Sequence, residues 1–396
     1  MPLDKKTSNM KTYFVFLFLF IFCFSIFFSV ISAAQEETST DIHSVVEVQK
    51  YNRSIHIMAM LLAGFGFLMT FVRGYGKSAL TATFLMVSIS IPVYILINDA
   101  GIMGGSSVVI DRLILSEFAA AGLLIAAGAA LGRLKMSQYL LLGLFFIPCY
   151  MINEWILLEN GLNLIPIETF IDTGGSIVIH AFGALFGLGV VIAIMRHKDQ
   201  DIPIQADYTS DRFSMIGSMI LWIFWPSFCA ALVPTNQIPQ TIVNVILALC
   251  GSTLATYAAS VSIRGKIQIA DIANASLAGG VAIGSVCLFA SPTAAFLIGI
   301  IAGLISTIGF SMIQEKLQKK LKMIDTCGVL NLHGLPGLFG GFSAIFIVAG
   351  INIQIQITGI VITMIIGIGS GLITGKILKL SGKKKKLYAD EEEFSE

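Results

Sequence analysis

Long, uninterrupted apolar runs alternate along this chain with short polar turns that carry most of its charge. Beyond residue 52 the pattern predicts eleven membrane spans, at about 54–72, 79–97, 112–131, 138–158, 173–195, 213–233, 241–261, 272–290, 293–314, 327–349 and 356–378. Each run is near the roughly 20 residues that a helix needs to cross a hydrocarbon core. Backbone facing lipid must satisfy its own hydrogen bonds, which leaves only helices and closed barrels. Barrel strands would be short and alternating, whereas these runs are long and continuously apolar. The pattern therefore predicts an all-α polytopic membrane protein. Its loops are too short to hold a soluble domain.

Composition agrees with that reading. Mean hydropathy is +0.85, and 12% of residues are charged, about half the share in a soluble globular chain. The formal net charge is +1, so no nucleic-acid partner is expected. The six cysteines, Cys23, Cys149, Cys229, Cys250, Cys287 and Cys327, form no CxxC pair and read as small packing residues.

The first segment has a different character. Lys5, Lys6 and Lys11 precede an apolar stretch from Tyr13 to Ile31, and Ser32-Ala33-Ala34-Gln35 follows. A positive region, an apolar region and a small-x-small site predict a signal peptide over residues 1–34, removed from the mature chain. An uncleaved first helix is the alternative. The transmembrane domain then covers residues 35–382, and residues 383–396 form a cytoplasmic tail.

The charges also set the topology. With an outside N-terminus, every second loop is cytoplasmic, and these loops hold Arg73 and Lys77, Arg133 and Lys135, Arg196, Lys198 and Arg212, Arg264 and Lys266, and Lys316 to Lys322. The opposite side holds only Lys50, Arg53 and Arg112. Basic residues favour the cytoplasmic side, so eleven spans with an inside C-terminus fit the segregation. The tail runs from Lys383–Lys386 into an acidic stretch at Asp390–Glu393 and Glu396. It reads as a solvated end whose basic patch suits anionic membrane lipid. Asn52-Arg53-Ser54 matches the glycosylation sequon but abuts the first span.

An internal repeat carries the chemistry. Residues 172–187 read DTGGSIVIHAFGALFG and residues 325–340 read DTCGVLNLHGLPGLFG. Asp172, Thr173, Gly175, His180, Leu185, Phe186 and Gly187 recur as Asp325, Thr326, Gly328, His333, Leu338, Phe339 and Gly340. Asp and His are rare here, with five His in all, so their matched placement is hard to assign to chance. The offset spans five helices, an odd number, which reverses direction across the membrane. An inverted repeat of spans 1–5 and 6–10, with span 11 added, follows. Each His lies eight residues in, about 12 Å of helix, so the two approach the midplane from opposite sides.

A histidine at membrane depth is a functional candidate by default. Taken singly, either could be a hydrogen-bonded packing residue. As a symmetric pair, two neutral imidazoles can share a hydrogen bond and keep free faces for a small polar solute. Asp172 and Asp325 read as helix N-caps, and Asp172 could also steady a cation at the outer mouth. Glu154, near the outer end of span 4, is a candidate for cation attraction. Glycines after each histidine let helices approach closely, and Pro336 should loosen span 10. No HExxH, cysteine pair, carboxylate cluster or Walker motif occurs, so no metal, no cofactor and no enzyme activity is expected.

These residues carry a resemblance. INEWIL at 152–157, DTGGSIVIHAFGALFGLG at 172–189, MIGSMILWIFWPSF at 215–228, NASLAGGVAIG at 274–284 and DTCGVLNLHGLPGLFGG at 325–341 occur in order over nearly all of the chain after its first segment. The chain resembles the ammonium transporter superfamily, in its Rhesus (Rh) branch. The resemblance implies a homotrimer in the plasma (inner) membrane with one pore per subunit, passing NH3 and leaving the proton of NH4+ behind. It implies that His180 and His333 are the twin pore histidines and that Phe118 and Phe228 form an outer gate. It also matches Asp172 to the outer aspartate, Glu154 to an Rh vestibule glutamate, and Asp325 to the symmetry-related aspartate. The loop between Glu154 and Asp172 departs by being longer than in familiar animal members.

A charge in a narrow apolar passage loses far more hydration than neutral NH3 does, which supplies selectivity without ATP. The competing readings are a channel for CO2 or another small neutral gas, an electrogenic ammonium transporter, and a sensor on a transporter scaffold.

Overall fold

The computed structural model describes residues 42–195 and 202–394. The signal-peptide reading, Cys23, Arg196 and Lys198 fall outside those residues. The chain divides into two units, residues 1–46 and 47–396. The first is described only as the opening turn of a helix, and the second holds the helical bundle.

The helices are α1 (Ser44–Phe71), α2 (Gly76–Asp99), α3 (Val109–Ala129), α4 (Met136–Leu158), α5 (Ser176–Ile194), α6 (Tyr208–Cys229), α7 (Thr235–Arg264), α8 (Ile269–Val286), α9 (Pro292–Leu321), α10 (Leu330–Ile347) and α11 (Ile353–Leu380). All but α3 and α6 are long and apolar enough to cross a membrane, which makes nine candidate spans among the described residues. The fold is all-helical and membrane-embedded. α3 is an interior helix, buried from Glu117 to Ala129 against its neighbours.

Several helices outrun their apolar stretches. α1 starts well before residue 54 because Glu47, Lys50 and Arg53 continue the helix beyond its apolar part, with the Lys50 ammonium 2.6 Å from the Asp111 carboxylate. α9 ends in a charged stretch, Gln314–Leu321, where Lys319 pairs with Glu315 one turn away. Polar ends of this kind are invisible to an apolar-run count. The sequon is part of α1, and its Ser54 hydroxyl is buried against Glu117.

Glycine sets the helix separations. A Cβ on Gly299 of α9 would lie 2.0 Å from the Ala248 carbonyl oxygen of α7. One on Gly371 of α11 would lie 2.2 Å from the Phe186 carbonyl oxygen of α5. One on Gly337 of α10 would lie 2.5 Å from the Ser176 carbonyl oxygen of α5. Within lipid such close backbone contact replaces the hydrophobic drive that holds soluble helices together. The last of these contacts brings the two repeat helices against each other. Cys149, Cys229, Cys250, Cys287 and Cys327 are all free thiols, within or beside this packing.

Candidate functional site

Both repeat helices begin late, and for the same reason. Asp172 and Asp325 do not open α5 and α10 but stand several residues ahead of them. Gly175 (φ +76°) and Gly328 (φ +67°) turn the chain through the left-handed region that glycine tolerates best. Each turn closes with a glycine N–H donating to the aspartate carbonyl, Gly175 to Asp172 at 3.1 Å and Gly328 to Asp325 at 3.2 Å. The carboxylates then reach forward to the orphan amides of the helix start. Asp172 accepts from Ile177 N–H at 3.0 Å and Val178 N–H at 2.8 Å, and also from the Ser285 hydroxyl at 2.6 Å. Asp325 accepts from Val329 N–H at 2.9 Å and Leu330 N–H at 3.0 Å. They cap from outside the helix rather than from its first position.

Past each turn the helix is wide. Ser176–Ala181 and Leu330–Gly334 are π-helical, and His180 and His333 sit in these two stretches. Such wide turns recur at functional sites because they re-aim a side chain. Pro336 is the seventh residue of α10, directly after the π-helical stretch, where the wide turn takes up a residue that has no N–H to donate. The two imidazoles meet with their Nδ1 atoms 3.2 Å apart, rings parallel to within 9° and centroids 5.3 Å apart. Both side chains are buried. One Nδ1 must donate and the other accept, so one Nε2 is left as an acceptor and the other as a donor. His180 Nε2 has no hydrogen-bond partner among the described residues.

Aromatic rings continue the line on both sides. The Trp225 ring lies parallel to that of His180 to within 20°, at 5.5 Å. Phe228 is 6.1 Å from His180 on the side of Phe118, and the Phe118 and Phe228 rings are 4.6 Å apart, tilted by 51°. On the other side Phe65 stacks 6.3 Å from His333. A cavity of about 100 Å³ lies beyond the phenylalanine pair, lined by Phe118, Tyr150, Glu154, Asp172, Val178 and Cys229 among others. A second, of about 30 Å³, lies beyond His333 and includes Phe65, Met69, Asn274, Cys327 and Leu332.

The structure thus aligns Phe118, Phe228, His180 and His333, with Glu154 and Asp172 sharing the larger cavity. Asp325 lines neither cavity. The loop from Glu154 to Asp172 contains one short 3₁₀ turn, Gly161–Asn163.

Several participants escape sequence reasoning. Tyr94 and Tyr150 donate to the two Glu154 oxygens at 2.7 and 3.2 Å. Ser285 holds Asp172, and Trp225 backs His180. Glu117, just before Phe118, is fully buried and accepts from the Ser54 hydroxyl at 2.6 Å. Of these only Trp225 stands in a motif, MIGSMILWIFWPSF. Tyr94→Phe with Tyr150→Phe should lower stability by about 1–3 kcal/mol, because a buried carboxylate loses both donors. The thermal midpoint of the purified protein in detergent measures it.

The profile of the Ammonium Transporter Family matches residues 15–395. The Bos taurus ammonium transporter Rh type A is 36% identical over 361 residues, covering 87% of this chain and 82% of that protein. The solved structure of Nitrosomonas europaea Rh50, a Rhesus-family channel, is 56% identical and superposes with a TM-score of 0.87 over 89% of this chain and 93% of that one. A sensor Amt protein shares the fold alone, at 20% identity and a TM-score of 0.73 over 87% of this chain and 94% of its own. With the profile spanning nearly the whole sequence and an Rh relative matching over most of its length, the chain belongs to the ammonium transporter family, in its Rh branch.

Proposed function

We propose that this protein passes ammonia down its gradient, through a dry passage running between Phe118 and Phe228, along His180 and His333, and out past Phe65. The observation that carries this reading is the buried histidine pair with His180 Nε2 unpartnered among the described residues. An unpartnered ring nitrogen in a dry site, donor or acceptor according to its tautomer, suits a small solute that can both donate and accept a hydrogen bond. Ammonium reaching the cavity beside Glu154 and Asp172 gives its proton to water there, and NH3 goes on alone. The idealised cost of taking an ammonium-sized ion from water into a low-dielectric interior is of order 20 kcal/mol, so the bare cation is stopped at the phenylalanines. Neutral NH3 loses only a few hydrogen bonds and regains some at the histidines.

The same reading extends to the arrangement in the membrane. α3 and α6 cross along with the nine apolar helices, giving eleven crossings. α1–α5 and α6–α10 form the inverted repeat, with α11 added. The two matching Asp–Thr–x–Gly turns, each capping the helix that carries a histidine, support this. The N-terminus faces outside and the C-terminus the cytoplasm of a plasma-membrane homotrimer, each subunit with its own pore. The basic residues of alternate loops support the orientation.

Stopped-flow uptake in proteoliposomes is the test. Ammonia entry should exceed that of protein-free liposomes by about tenfold or more, equivalent to some 1.4 kcal/mol off the barrier. Ammonium addition should produce no net current. A current proportional to ammonium would favour the electrogenic alternative. Faster CO2 than ammonia entry would favour a gas channel of another kind.

A further inference from the structure

The stretch between α4 and α5 is built the wrong way round for a loop in water. Ile165 and Phe170 are buried in the bundle, while Leu162, Leu164 and Ile167 stand out of it, 64%, 52% and 62% exposed. Pro166 is exposed between them. Leu162 takes the left-handed backbone conformation, φ +56°, which glycine and asparagine tolerate best. Asn160 and Asn163 fill that conformation on either side of it. A large apolar side chain is thus held out at a position that favours a small or polar one.

The stretch is firmly seated. A Cβ on Gly161 would lie 2.6 Å from the Trp155 ring. The N–H groups of Asn163 and Leu164 donate back to the Asn160 and Gly161 carbonyls at 3.0 and 3.3 Å. The Thr169 hydroxyl donates to the Pro166 carbonyl at 2.6 Å. Hydrogen-bonded turns therefore present the apolar tips.

Two contacts join the stretch to its neighbours. The Glu159 carboxylate accepts from Gly105 N–H at 2.9 Å, which ties it to the α2–α3 loop, where Ile102 is 72% exposed. Gln356, in the first turn of α11, accepts from Ile171 N–H at 3.0 Å and donates to the Ile171 carbonyl at 3.1 Å. Ile353, which opens α11, is exposed as well. The exposed aliphatic side chains therefore sit on three adjoining segments at the Glu154 end of the bundle.

The helices that carry these segments show what covers them. α4 packs between α2 and α11, and all three are long and apolar enough to cross the membrane. Phe84 and Leu96 on α2, Leu144 and Ile152 on α4, and Ile357 and Ile365 on α11 are all exposed, so lipid covers this flank. Leu96 lies in the last turn of α2 and Ile357 in the second turn of α11, so the lipid-covered flank reaches the loop tips. Asn163 and Glu168, exposed among the aliphatic tips, suit a layer that offers both acyl chains and headgroups.

We infer that the stretch between α4 and α5 dips into the lipid leaflet on the Glu154 side, with Leu162, Leu164 and Ile167 as its anchors and Ile102 beside them. Side chains of this kind reach about 5–10 Å into the boundary between headgroups and acyl chains. Leu158, the last residue of α4, lines the larger cavity, so the anchored stretch starts from that cavity's own wall. The lipid thereby fixes the level of the cavity's rim in the membrane.

Tryptophan fluorescence of the full-length protein in liposomes tests the inference. Leu164→Trp and Ile167→Trp each add an emitter at an exposed position, and the wild-type signal is subtracted. Ile365→Trp, on the lipid-covered side of α11, is the reference. Phosphatidylcholine brominated on its upper acyl carbons should quench both loop emitters as strongly as the reference, while iodide on both sides of the membrane leaves them unchanged. Quenching by iodide and not by brominated lipid places the tips in water and overturns the inference. Protection from both quenchers overturns it too, since a second copy or another protein then covers the tips.

Discussion

Replacing both His180 and His333 with Leu should cut ammonia uptake by more than about tenfold, while leaving a protein at least as stable as either single variant. The two halves of this expectation have separate causes. The histidine nitrogens are buried polar groups in the middle of the line from Phe118 to Phe65. Without them NH3 loses the imidazole donors and acceptors on its way, and a lost hydrogen bond of about 1–3 kcal/mol goes straight into the barrier. Stability follows a different order. His180→Leu strands the Nδ1 of His333 in a dry site, and His333→Leu strands that of His180. Removing one partner of a buried pair costs about 1–3 kcal/mol, whereas replacing both by apolar groups is close to neutral. Uptake should therefore fall furthest in the double variant, while the thermal midpoint falls furthest in a single one. A pure packing role would make both readouts fall together. Wild-type uptake in folded double variant would remove the histidines from the conduction route.

The repeat is legible in the sequence because it rests on rare residues. Asp172, His180, Asp325 and His333 stand out of an apolar, glycine-rich background, and an offset of five helices implies opposed directions. The helical class is legible for a related reason, since lipid admits few backbone solutions. What the sequence hides is geometry that has no compositional mark. Nothing in SIVIHA or LNLHG announces a π-helix, yet those wide turns bring the two Nδ1 atoms to 3.2 Å. Helix ends escape an apolar-run count wherever polar residues continue a helix, as at the start of α1 and the end of α9. Tyr94, Tyr150 and Ser285 carry no mark either, because a hydroxyl in an apolar run says nothing of the carboxylate it will meet. Phe118 and Phe228 are two of 28 phenylalanines, and only the family resemblance singles them out.

The second large effect concerns Asp172. Its carboxylate receives two backbone N–H groups and one hydroxyl, and it is 7% exposed. Asp172→Ala strands the two N–H groups and leaves the Ser285 hydroxyl to find another acceptor. At about 1–3 kcal/mol for each buried unpaired group, the loss is comparable with a whole protein's net stability of roughly 5–15 kcal/mol. Asp172→Ala should therefore fail to accumulate as folded protein. Asp172→Asn should behave differently. Its carbonyl oxygen can still accept from Ile177 and Val178, and its amide can donate to Ser285, whose hydroxyl accepts as readily as it donates. That variant should keep a near-wild-type thermal midpoint, measured in detergent, and near-wild-type ammonia uptake. Asp325→Asn is the control, since Asp325 makes the matching backbone bonds without lining either cavity. If Asp172→Asn folds but loses uptake at low ammonium while Asp325→Asn does not, the charge at Asp172 recruits the cation. If both fold and both conduct, the two aspartates serve the repeat as caps, and Glu154 is left as the vestibule's working carboxylate.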